Sequence, residues 1–119
     1  MAITVYQYPK CSTCRNALKW LDQQAIPYAS VDIVTAPPSA STLCRLHRAS
    51  HLPLARFFNT SGESYRNGGF KERLKTMSEG EAYAVLAADG KLIKRPLVDA
   101  GDVVLVGFDP VAWAEALRR

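Results

Sequence analysis

Cysteine is scarce in this sequence: three residues among 119, an odd number. So small and odd a count argues against the paired framework that staples small secreted domains. No stretch approaches the ~18 consecutive apolar residues of a membrane-spanning helix, so no membrane partner is expected. The first residues, Met1-Ala2-Ile3-Thr4-Val5-Tyr6, lack a basic start followed by a long apolar run and do not read as a signal peptide. Together these absences predict a cytoplasmic protein in a reducing compartment. Histidine is scarcer still, with only His47 and His51. About thirty residues separate Cys14 from His47, against the usual ~12 to 20 between zinc-ligand pairs, so no metal site is predicted. Repeats, low-complexity tracts and linkers are also missing. The length suits one domain spanning 1–119.

What is present is a moderate basic excess, +4 with a sequence pI of about 9.1. It favours anionic partners but names none. Lys71, Arg73 and Lys75 form the densest basic group and read as solvated surface. No motif predicts direct binding of nucleic acid.

The apolar periodicity outlines the fold. Ile3 to Tyr8 is rich in β-branched and aromatic residues and reads as a strand that Pro9 ends. Cys14, Ala17, Leu18 and Leu21 then recur at helical spacing, with Ser12 or Thr13 as an acceptable N-cap and Pro27 as the stop. Tyr28 to Ile33 alternates as a second strand, completing a βαβ unit with parallel strands. Pro37-Pro38 breaks the chain, and Ser39 caps a helix carrying Leu43, Leu46 and His47. Pro53 starts a short helix through Phe57, and Asn59 to Gly62 is a turn. Ser78 and Glu81 form a capping box for a helix with Ala82, Val85 and Leu86 inside. Asp89-Gly90 ends that helix with a residue suited to the left-handed position. Pro96-Leu97-Val98 and Val103 to Val106 flank Ala100-Gly101 as a hairpin. Asp109-Pro110 starts a last helix that buries Val111, Ala114 and Leu117. The simplest closure is an α/β fold, a four-stranded mixed sheet with helices on its faces.

The chemistry concentrates at Cys11-Ser12-Thr13-Cys14. Cys11 follows a strand and begins a helix, where unpaired N–H groups and the helix dipole favour a thiolate over a thiol. Lys10 and Arg15 add positive charge nearby. Cys14 lies one helical turn on, with a Cα separation of roughly 5 to 6 Å, within disulfide range. Cys11 can attack, and Cys14 can resolve the resulting mixed disulfide. Cys14 begins the apolar stripe and should be the more buried and less acidic of the two. Cys44 reads as a plain helix residue rather than a third redox partner.

Tyr8-Pro9-Lys10-Cys11-Ser12-Thr13-Cys14-Arg15, Phe57-Phe58-Asn59-Thr60-Ser61-Gly62, Leu92-Ile93-Lys94-Arg95-Pro96-Leu97-Val98 and Val104-Leu105-Val106-Gly107-Phe108 jointly resemble the arsenate reductase (ArsC)/Spx family. The likeness points to its small bacterial Spx/MgsR-like branch. The resemblance implies a thioredoxin-like fold with a helical insertion, about 37–89, between the second and third strands. It implies that Cys11 is the reactive thiol, that Arg95 lies near it, and that Pro96 faces it, commonly through a cis bond. Lys10, Ser12, Thr13, Arg15, Asn59 and Pro96 are the expected substrate-binding set around the catalytic Cys11, Cys14 and Arg95. No cofactor is expected beyond a thiol reductant such as glutathione, glutaredoxin or thioredoxin.

The sequence also departs from that pattern. Asn59 stands where such arsenate reductases carry the first of three oxyanion-binding arginines, and Val106-Gly107 stands near the place of the third. Only Arg95 remains. Charge-assisted contacts are roughly twice as strong as neutral ones, so arsenate is expected to be a poor substrate. Two readings follow: a thiol–disulfide oxidoreductase related to arsenate reductases, or a redox-responsive Spx-like regulator that binds the RNA polymerase alpha subunit.

Overall fold

A computed structural model describes residues 2–117. Strand β1 (Thr4–Gln7) leads into helix α1 (Ser12–Gln23) and strand β2 (Ala29–Asp32). Helices α2 (Ala40–Ser50), α3 (Glu63–Asn67), α4 (Phe70–Arg73) and α5 (Glu79–Ala88) follow, with 3₁₀ turns at Leu54–Phe57 and Gly90–Leu92. Strands β3 (Leu97–Asp99) and β4 (Val104–Val106) and helix α6 (Pro110–Leu117) close the chain. The strands lie in the order β2-β1-β3-β4. β1 runs parallel to β2, with Val5 opposite Ser30, and antiparallel to β3, with Val5 opposite Val98. β3 and β4 form the antiparallel hairpin, and Gly101 turns it at a φ of 85°. This is the four-stranded mixed, thioredoxin-like sheet, with the helical insertion between β2 and β3.

Strand alternation divides the core between the two faces. Val5 and Val98 pack with Ala17, Leu21, Trp113 and Leu117 under α1 and α6. Leu97 and Val104 pack with Leu43, Leu46, Phe57 and Leu86 on the other face. Leu21 and Leu86 are fully buried, so truncating either to alanine should cost roughly 2 to 5 kcal/mol.

Ser39 caps α2 by accepting from the Thr42 amide at 3.2 Å, and the Ser78–Glu81 capping box forms at both of its bonds. Several local expectations need correction. The N-cap of α1 is Cys11 itself, not Ser12 or Thr13. The helix also ends at Gln23, four residues before Pro27, with Ala25 at a φ of 56°. Gly90 is not a left-handed terminator. Its backbone passes so close to the Ile33 carbonyl that a Cβ would lie 1.8 Å from the oxygen. Val111 is 68% exposed, and Trp113 fills the interior beneath α6 instead. The Trp113 indole donates to the Gly107 carbonyl at 3.1 Å and meets Phe108 edge-on at 4.9 Å between centroids. On α5, Tyr83 is buried with Ala82 and Leu86, whereas Val85 is half-buried.

Candidate functional site

β1 ends at Gln7, and a tight turn follows in which the Cys11 amide donates to the Tyr8 carbonyl at 3.0 Å. Cys11 is extended, with φ −92° and ψ 120°, while its carbonyl accepts the first helical bond from Arg15 at 3.0 Å. Cys11 is therefore the N-cap residue, although its sulfur makes no capping hydrogen bond to the amide three residues on. That amide belongs to Cys14.

Burial alone would raise the Cys11 thiol. The backbone amide and thiol of Cys14 and the guanidinium of Arg95 outweigh it, and the thiol is held below its ordinary value. Cys14 is fully buried and is pushed up to about 12, first by that burial and then by the neighbouring Cys11 sulfur. The Tyr8 amide donates to its sulfur at 3.5 Å, which partly offsets the rise. One helical turn thus holds an accessible, acidified thiol and a buried, protonated one, both reduced. The first can act as a nucleophile at neutral pH.

Cys11 opens into a cleft of about 540 Å³. Thr13 flanks it, Asn59 and Gly62 form one wall, and Gly107 and Asp109 lie along another. Three cations line the same cleft: Arg56, Lys94 and Arg95. The Asn59 loop is fixed by several bonds. The Asn59 amide donates to the Leu92 carbonyl at 2.8 Å, and the Lys94 amide donates to the Phe57 carbonyl at 2.9 Å. Arg66 on α3 donates to the Ser61 carbonyl at 2.7 Å. A Cβ at Gly62 would lie 2.6 Å from the Asn59 amide nitrogen, so a larger residue there would displace the Asn59 side chain. Arg95 enters through a cis bond to Pro96 and donates to the Lys91 carbonyl at 3.2 Å.

Of the residues expected from sequence, Cys11, Thr13, Asn59 and Arg95 meet at this cleft, with Cys14 buried behind Cys11. Lys10, Ser12 and Arg15 lie outside its lining, as does the buried Pro96. Arg15 instead donates to the Pro9 carbonyl at 3.0 Å. Gly107 donates its amide to the Pro96 carbonyl at 2.9 Å. Sequence reasoning missed Arg56, Lys94 and Asp109. Lys94 sat beside Arg95 in a segment already singled out. Arg56 and Asp109 gave no signal, because four segments distant in sequence build the cleft. Cys44 lies half-buried on α2, beside the Tyr83 hydroxyl and away from the cleft. His47 bonds that same hydroxyl at 2.7 Å. Among the described residues, no three His, Cys, Asp or Glu side chains gather as a metal site, and no helix is long and apolar enough to cross a membrane.

The ArsC family model matches residues 6–116. The Bacillus subtilis (strain 168) protein YusI is 49% identical over 91% of this chain and 92% of its own. The global transcriptional regulator Spx of the same organism is 22% identical, covering 90% of this chain and 80% of its own. A crystal structure of an ArsC-family-related protein from Bacteroides fragilis is 44% identical and superposes with a TM-score of 0.93 over 97% of each chain.

Proposed function

The chain belongs to the ArsC family, and we propose that it works there as a thiol–disulfide oxidoreductase. The observation that carries this reading is the opposed tuning of Cys11, lowered and open to the cleft, and Cys14, buried and raised to about 12. In the first step the Cys11 thiolate attacks a disulfide R–S–S–R′. A Cys11–S–R bond forms, the substrate S–S bond breaks, and the electron pair leaves on R′S⁻. Bonding Cys11 removes the sulfur charge that helps raise Cys14. Cys14 then gives up its proton and attacks Cys11, releasing RS⁻ and leaving a Cys11–Cys14 disulfide. A thiol reductant such as glutathione, glutaredoxin or thioredoxin returns the two electrons.

Arg56, Lys94 and Arg95 outnumber Asp109 in the cleft, which suits an anionic substrate. Arg95 serves as the charge partner of Cys11, and Asn59 as a neutral donor. Thr13 lines the cleft beside Cys11, whereas Lys10, Ser12, Arg15 and Pro96 lie outside its lining and are left without a direct contact to the substrate. The direct test is a Cys14→Ser variant, which should stall as a mixed disulfide on Cys11.

A second reading is favoured by the likeness to Spx: a redox-responsive regulator that binds the RNA polymerase alpha subunit. In that case the Cys11–Cys14 disulfide would change alpha-subunit capture, and no disulfide would turn over.

A further inference from the structure

We propose that the preferred substrate is a disulfide whose leaving half is a cysteinyl peptide bearing a carboxylate, and that a second hollow beside the Cys11 cleft holds that half. This rests on the oxidoreductase reading above. The second hollow has a volume of about 410 Å³. It shares Asn59, Gly62 and Arg95 with the cleft that contains Cys11. The two are therefore adjoining chambers on either side of one wall. Cys11 lines only the first.

Disulfide exchange brings three sulfurs into line: the attacker, the sulfur under attack, and the leaving sulfur. When Cys11 bonds the central sulfur, the attached half stays over Cys11 in the first chamber. The leaving half needs a seat that does not overlap it. The second hollow offers one a single wall away. Arg95 lines both chambers, so it faces the negative charge as it passes from Cys11 to the departing thiolate. Cys14 then displaces the attached half as a thiolate. The substrate disulfide ends as two thiols, and the Cys11–Cys14 pair ends oxidised.

The lining identifies the class of leaving group. Ser64, Asn67 and Lys91 line the second hollow, and their side chains bond no other described residue. A hydroxyl, an amide and an ammonium without partners suit a peptide backbone and a carboxylate. Lys91 and Arg95 outweigh Glu63 there, so the hollow favours negative charge. A small neutral thiol would leave all of these groups unused.

The test compares kcat/KM for three disulfides on the full chain. Two are symmetrical disulfides of the tripeptides Gly-Cys-Glu and Gly-Cys-Lys, blocked at both ends, and the third is bis(2-hydroxyethyl) disulfide. The parent should prefer the glutamate peptide, and Lys91→Glu should reverse the order between the two peptides. The Ser64→Ala/Asn67→Ala variant should lower the ratio of peptide to small-disulfide kcat/KM by about threefold to tenfold, as expected for one or two lost hydrogen bonds. An unchanged ratio, or a peptide preference that Lys91→Glu leaves in place, would overturn this inference alone. A parent that reduces none of the three would overturn the oxidoreductase reading and this inference with it.

Discussion

The guanidinium carbon of Arg95 lies 5.1 Å from the centroid of the Tyr8 ring. The same tyrosine donates its amide to the Cys14 sulfur. One residue just past the end of β1 thus braces the charge partner of Cys11 and touches the buried thiol. Cation–π contacts of this kind are worth about 0.5 to 1 kcal/mol where solvent reaches them.

The first prediction follows from that brace. Arg95→Ala should move the pH midpoint of Cys11 alkylation upward and slow labelling at pH 7, by about threefold to tenfold if one charge-assisted bond is lost. Tyr8→Leu should shift it in the same direction by less. Iodoacetamide labelling across pH, read by mass spectrometry, decides. Cys44 labelling as fast as Cys11 would contradict the site.

The second prediction concerns alkaline stability. Cys14 is raised to about 12 when folded, against about 8.5 for a free thiol. A raised pKa stabilises the fold fully below the unfolded value and loses that contribution as pH climbs toward the folded one. The urea midpoint of the reduced protein should therefore fall as pH rises from about 8.5 toward about 12, and Cys14→Ala should flatten that slope. Equal slopes would show that Cys14 is not shifted.

The third concerns arsenate. Asn59 supplies no charge at the cleft wall, and a charged hydrogen bond is worth roughly 1.5 to 3 kcal/mol. Asn59→Arg should raise any residual arsenate reduction by about tenfold to a hundredfold, and Arg95→Ala should abolish it. Coupled assays with glutathione and glutaredoxin measure both. Arg56 and Lys94 line the same cleft, so neutralising either should weaken residual activity. Efficient turnover by the parent at micromolar arsenate would show that the missing arginines do not matter.

The fourth concerns Gly90. A Cβ at this position would overlap the Ile33 carbonyl. Backbone on both sides cannot give way cheaply, so Gly90→Ala should destabilise by about 3 kcal/mol or more. Chemical denaturation checks it, and a loss below 1 kcal/mol would mean that the two segments separate easily.

Periodicity carried much of the fold. The βαβ unit, the capped helices α2 and α5 and the final hairpin were legible because their apolar spacing and cap residues agreed. Helices α3 and α4 were not. They span five and four residues, α3 buries none of its own, and they sit where Tyr65 and Phe70 stack on each other, with Tyr65 edge-on and Phe70 tilted against Phe58. No local pattern encodes such tertiary packing. Val111 and Trp113 competed for the inner face of α6, and the larger ring won because Trp20, Phe108 and the Gly107 carbonyl receive it. At the site, Cys11, Cys14 and Arg95 were legible from position and motif. Arg56 and Asp109 became neighbours of Cys11 only through folding, since a lone charge in a sequence does not say what it faces.

The central claim is that Cys11 attacks a disulfide and Cys14 resolves the product. The most direct measurement is intact mass after one turnover of bis(2-hydroxyethyl) disulfide, comparing the parent, Cys14→Ser and Cys11→Ser. A Cys11–Cys14 disulfide is expected in the parent, a stable adduct mapped to Cys11 in Cys14→Ser, and no reaction in Cys11→Ser. An adduct on Cys44, or a parent that remains fully reduced while it captures the RNA polymerase alpha subunit, would contradict it.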